Sequence, residues 1–212
     1  MAVTLTTPNT ILGALAPKGD TAKLATNLTT IVLGSLLLAA SARTSVPVQP
    51  VAVTLQTFAV AALAAAFGWR IAVSTVLLYL VEGLSGFPVF STGGGIDYVM
   101  RPSFGFLLGY LPMAYIIGRA ADLGASGKVG RLFVAMLIGD AVAFAFGFVW
   151  LLAISGMILQ QGGALPGWLN QNDLVATAFN GAVKPFVIWD ILKMAFAALS
   201  VTGAWTLLRR KA

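Results

Sequence analysis

Six apolar runs succeed one another along this chain, at residues 28–42, 51–67, 70–86, 103–120, 131–157 and 185–208, and they leave few folds open to it. A helix of about 20 apolar residues crosses the hydrocarbon core of a bilayer, and the runs are of that order. Hydrophobic residues make up 58% of the chain and charged ones 9%, against about 25% charged in an ordinary soluble domain. The expected fold is therefore an all-α integral membrane protein of six transmembrane helices. No charged or Ser-rich linker separates halves. Residues 28–208 are expected to form one membrane domain, between a cytoplasmic N-terminal segment, 1–27, and a basic cytoplasmic tail, 209–212. Only Gly68, Trp69 and Arg70 part the second run from the third. Continuous helix through both would far exceed one crossing, so a tight turn at Gly68 is predicted.

Basic residues set the orientation. An even number of spans puts both termini on one side, and that side holds nine Lys and Arg (Lys18, Lys23, Arg70, Arg119, Lys128, Arg131, Arg209, Arg210, Lys211) against three on the other (Arg43, Arg101, Lys184). Excess positive charge marks the cytoplasmic side, so both termini are expected there, in a multi-pass protein of the inner (cytoplasmic) membrane. The net charge of +6 is thus explained by topology and the lipid bilayer, not by nucleic acid. With no cysteine and no histidine, disulfides, thiol chemistry, zinc sites and histidine catalysis are excluded. The first 27 residues lack the apolar core of a cleavable signal. Outward loops at 43–50, 87–102 and 158–184 carry five of the nine prolines, the Gly93-Gly94-Gly95 run and most amides, and a loop as long as the last is functional or disordered.

Charges inside the runs ask for a reason, since each costs roughly 2.5–3.5 kcal/mol at mid-membrane. Asp190 and Lys193 stand at i and i+3, project from nearly one helix face, and either pair with each other or jointly address a ligand. Asp140 lies mid-run with no basic residue within a turn, so it is either protonated or paired across helices. Glu82 sits near the outer end of its span, where a structural role is expected. Thr54 and Gln56 either bond a neighbouring helix or a ligand. The three glycines form a flexible loop or a lid, and lack the GxGxxG pattern. Gly127-Lys128 is no Walker A motif, because Asp122 stands where its first glycine belongs and Val129 follows the lysine, so any ATP-driven step belongs to a separate subunit. Asn27-Leu28-Thr29 is a glycosylation sequon in form only, being at the cytoplasmic edge. Small residues around Ser35 and Ala39 serve either internal packing or a partner membrane protein.

Several stretches, in order, resemble one family. They are Pro47-Val48-Gln49-Pro50-Val51-Ala52-Val53-Thr54-Leu55-Gln56-Thr57-Phe58; Glu82-Gly83-Leu84-Ser85-Gly86-Phe87-Pro88-Val89-Phe90; the glycine run leading to Arg101-Pro102-Ser103-Phe104-Gly105; and Asp190-Ile191-Leu192-Lys193. Together they look like the BioY family of biotin transporters, substrate-binding S components of energy-coupling-factor (ECF) uptake systems. The resemblance covers roughly residues 30–208. It implies high-affinity capture of biotin at the outer face, no cofactor, and no enzymatic activity in this chain. It also implies partners: a membrane coupling (T) subunit, for which the small-residue face of the first span is a candidate contact, and two ABC-type ATPases. The implied substrate-binding residues are Asp190 and Lys193, suited to the ureido ring and carboxylate of biotin in either assignment, with Ser91, Thr92 and Gln56 as polar contacts. Tyr98 or Arg101 would close the pocket, and Trp189 would supply an apolar wall. The chain departs from the family's pattern at Ser91-Thr92, where an amide precedes the glycines, and at Trp189, where a glycine precedes the aspartate. The competing expectations are an S component for a different vitamin and a small intramembrane enzyme.

Overall fold

The computed structural model describes residue 5, residues 9–46 and residues 53–209. Residues 47–52 of the first family stretch, and Arg210 and Lys211 of the basic tail, lie outside them. The helices in order are α1 (Ile11–Ala14), α2 (Asp20–Arg43), α3 (Gln56–Phe67), α4 (Trp69–Leu84), α5 (Phe104–Asp122), α6 (Val129–Gln160), α7 (Leu174–Ala182) and α8 (Val187–Arg209). A short antiparallel pair, β1 (Ser45–Val46) and β2 (Val53–Thr54), joins α2 to α3 with Ser45 opposite Thr54. A 3₁₀ turn, Ile96–Met100, precedes α5.

Among the described residues, four segments are long and apolar enough to cross a membrane: α2, α5, α6, and the stretch Gln171–Arg209 that contains α7 and α8. Their outer surfaces carry large apolar side chains, such as Leu33 and Leu36 on α2, Val149 on α6 and Phe196 and Leu199 on α8, each more than half exposed. Water does not tolerate such surfaces on this scale, whereas hydrocarbon does. The interior holds Leu38, Val60, Val76, Tyr79, Met113, Ile117, Leu132, Met136 and Met194, all fully buried. Helix α3 sits amid this core, packed on α2, α4, α5 and α8.

The second and third runs fold differently from the expectation. The chain does break at Gly68, whose φ of 85° ends α3 and begins α4. Yet α3 has 12 residues and α4 has 16, lengths of about 18 and 24 Å, short of the ~30 Å hydrocarbon core. Helix α3 starts at Gln56, not at 51, because Val53 and Thr54 pair with β1 and Thr54 and Gln56 line a cavity. Non-helical backbone is tolerated at membrane depth where it borders a cavity. Three further expectations are corrected. Helix α2 begins eight residues before the predicted span, with Asp20 in its first turn, where an acid suits the helix dipole. The 158–184 loop contains the helix α7, with Ala178 and Ala182 buried. Asp122, expected in a loop, is the buried last residue of α5.

Close helix contact is made by small residues, though not chiefly those expected. Gly34 and Ser35 of α2 are buried against α4, so that a Cβ on Gly34 would come within 2.7 Å of Thr75 Cγ2. That part of the small face is internal packing, not a free docking surface. The most extensive pairing is α5 with α6, where Gly109 faces Ala143, Gly105 faces Trp150, and Gly139 and Gly147 receive the side chains of Ile117 and Phe106. A Cβ on Gly109 would lie 2.7 Å from Ala143 Cα, backbone against backbone. Gly109→Val should therefore cost about 1–3 kcal/mol of stability, seen as a lowered thermal midpoint in detergent. Gly203→Ala, in α8 with open space around it, should do the opposite by about 0.4–1 kcal/mol.

Candidate functional site

One end of α8 and the start of α3 build a buried polar cluster. Asp190 lies in the first turn of α8, where the helix N-terminus favours negative charge, and is 2% exposed. Its Oδ1 accepts from Thr57 Oγ1 at 2.6 Å and from Lys193 Nζ at 2.8 Å. Lys193 also donates to the Thr54 carbonyl at 2.8 Å and to Thr57 Oγ1 at 3.4 Å. The three donors of the ammonium thus all have acceptors inside the protein, and an arriving anion has to exchange with one of them. Asp190 and Lys193 thus pair with each other, and both line a cavity.

A second polar cluster centres on Tyr98, which the 3₁₀ turn before α5 holds in place. Its hydroxyl lies 3.1 Å from Ser91 Oγ, 3.4 Å from Thr92 Oγ1 and 3.3 Å from Ser103 Oγ. Arg101 lies over the Tyr98 ring at 5.4 Å and donates to Thr92 Oγ1. Tyr98 is buried and Arg101 exposed, so the guanidinium caps the ring from the solvent side. Gln56 donates to the Tyr79 hydroxyl at 2.9 Å, and Tyr79 donates in turn to the Val89 carbonyl.

Both clusters line one cavity of about 210 Å³, with Phe106, Leu107, Tyr110, Phe144 and Phe186 as its apolar wall. Polar groups converging on an aromatic hollow are what a small, partly polar ligand needs, and this volume lies somewhat below the usual range for such sites. Among the expected residues, Asp190, Lys193, Ser91, Thr92, Tyr98, Arg101 and Gln56 all reach it. Trp189 does not. One residue before Asp190 on the helix, it points about 100° away, is 59% exposed, and borders a surface hollow with Asn180, Lys184 and Ile188. The indole is therefore no wall of this cavity.

The glycine run is tied by backbone hydrogen bonds to itself and to α4. Phe90 and Gly93 exchange backbone hydrogen bonds, and the Gly95 N–H donates to the Gly83 carbonyl at 2.7 Å. Gly93 and Gly95 adopt φ values of 126° and 102°, and a Cβ on Gly94 would collide with the Phe87 carbonyl. These glycines let the loop fold back on α4 and present Ser91 and Thr92. Asp140 and Glu82 stand outside the cavity. Asp140 is buried, with Oδ1 lacking a partner among the described residues; Glu82 Oε1 accepts from Ser35 at 3.2 Å, which fits its structural reading.

Thr57, Ser103 and the aromatic wall were not among the expected site residues. Thr57 lies inside a stretch already singled out. The aromatics gave no signal, because 13 phenylalanines are scattered through apolar runs where lipid contact accounts for them equally well.

Comparison with known proteins adds an independent line. The sequence profile of the BioY family matches residues 13–210. The probable biotin transporter BioY of Lysinibacillus sphaericus is 32% identical over 175 residues, 82% of this chain and 84% of that protein. Biotin transporter BioY2 of Lactococcus lactis is 34% identical over 126 residues, 59% of this chain and 69% of its own. The crystal structure of the S-component for biotin from an ECF-type ABC transporter superposes with a TM-score of 0.68 at 17% identity, covering 90% of this chain and 95% of that one, and so shares the fold. The chain belongs to the BioY family.

Proposed function

We propose that this protein captures biotin in the cavity between α3, α5 and α8 and passes it across the cytoplasmic membrane as the S component of an ECF-type uptake system. The observation that carries the reading is the joining of a buried Lys193–Asp190–Thr57 cluster and the Tyr98 hydroxyl network around one aromatic-walled cavity. Biotin bears a carboxylate and a ureido group, and charged hydrogen bonds to such groups strengthen where water is excluded. Six spans with both ends cytoplasmic are part of the proposal, α3 and α4 crossing as a short pair beneath the cavity. ATP hydrolysis falls to two partner ATPases, coupled through a membrane T subunit.

Calorimetric titration of the purified protein with biotin, against thiamine and riboflavin, tests this. Tight binding of biotin alone is expected. Tight binding of another vitamin, or no binding by demonstrably folded protein, overturns the assignment. Tyr98→Phe should weaken biotin about fivefold, as expected for one hydroxyl lost from a network of three neighbours, and leave the thermal midpoint within a few degrees.

A further inference from the structure

At the end of the bundle away from the cavity, about 28 Å along α8 from Asp190, lies a second hollow of about 360 Å³. Lys128, Arg209, Trp205, Gly127 and Asn9 line it, and among the described residues no acid does. Arg209 lies over the Trp205 ring at 4.9 Å, which fixes the guanidinium at the rim. Gly127 lets the indole edge come close: a Cβ there would be 3.0 Å from Nε1. Helix α6 starts here, with Lys128 at its N-cap position and no side chain capping it, and Gly130 faces open space. Its first backbone N–H groups and the positive end of its dipole therefore add to two fixed cations. Asp122, the last residue of α5, is turned to Gly68 instead.

We propose that this hollow binds the phosphate of an anionic phospholipid headgroup. The chemistry is that of a phosphodiester: two cations, an uncapped helix N-terminus and an indole edge around one hollow. A lipid, not a free phosphate, is the source, because the hollow lies where α6 and α8 meet the end of their apolar surface. Basic pockets between membrane helices hold such headgroups. The inference rests on membrane placement and is independent of the ligand in the other cavity.

Native mass spectrometry of protein released from mixed phosphatidylglycerol and phosphatidylcholine micelles tests it, with biotin affinity measured on the same samples. The wild type should retain one phosphatidylglycerol in preference to phosphatidylcholine. Lys128→Gln and Arg209→Gln should each lower that retention about fivefold, and more together, with biotin affinity unchanged. Arg70→Gln, whose guanidinium packs on Trp69 elsewhere, should retain it. Excess inorganic phosphate should not displace the lipid. Equal retention of both lipids, retention unaffected in the double variant, or capture of inorganic phosphate in place of phosphatidylglycerol would overturn the proposal.

Discussion

Lys193→Ala and Asp190→Asn are each expected to weaken biotin binding by about 2 kcal/mol or more, because each removes a charged hydrogen-bonding group from a buried cluster. The single variants alone do not separate ligand contact from a merely self-neutralising pair. Losing one partner leaves the other charge buried and uncompensated, which itself costs about 3–5 kcal/mol of stability. The double variant Asp190→Asn/Lys193→Met separates them, since it leaves no bare charge. If the pair only neutralises itself, the double variant folds and binds biotin normally. On the proposed reading it melts close to the wild type and fails to bind. Trp189→Ala, which alters the neighbouring position on the same helix but faces outward, should leave the affinity unchanged. Calorimetry with parallel thermal melts reads all four, and normal binding by the double variant would remove Asp190 and Lys193 from the site.

The sequence made the buried charges legible because their cost in hydrocarbon is large and local: Asp190 and Lys193 stand out in any apolar run. It also made the break at Gly68 legible, since two runs with only three residues between them exceed one crossing. What it hid depended on tertiary geometry. That α3 would start only at Gln56 goes with the cavity that Thr54 and Gln56 line, and no pattern in residues 51–67 announces a cavity. The glycines of α5 and α6 were as readable as the small residues around Ser35, but only the packing tells that Gly109 lies against Ala143 while Gly105 and Gly147 make room for Trp150 and Phe106. Trp189 failed for a simple geometric reason. A side chain adjacent in sequence to a site residue on a helix faces elsewhere, and the rule that placed Asp190 and Lys193 together at i and i+3 already excludes it.

Gly83→Ala is expected to lower both the stability of the protein and its affinity for biotin. Gly83 lies in α4 beneath the fully buried ring of Phe90, and a Cβ there would fall on the ring itself. Phe90 has little freedom to yield, for it packs edge-on to Tyr79 at 5.3 Å and against Tyr98 at 4.6 Å. Tyr79 holds Gln56, and Tyr98 gathers Ser91, Thr92 and Ser103, so displacing the ring disturbs both polar arms of the cavity from a position that touches neither. A stability loss of about 1–3 kcal/mol, the usual range for overpacking, should accompany at least a tenfold fall in biotin affinity. Adding Phe90→Leu should make room for the methyl group and recover part of the melting temperature. Affinity should stay low, because the ring that sets the position of Tyr98 is then absent. An unchanged melt and affinity in Gly83→Ala would mean that the ring has room to move, and recovery of full affinity in the double variant would show that Tyr98 holds its place without Phe90.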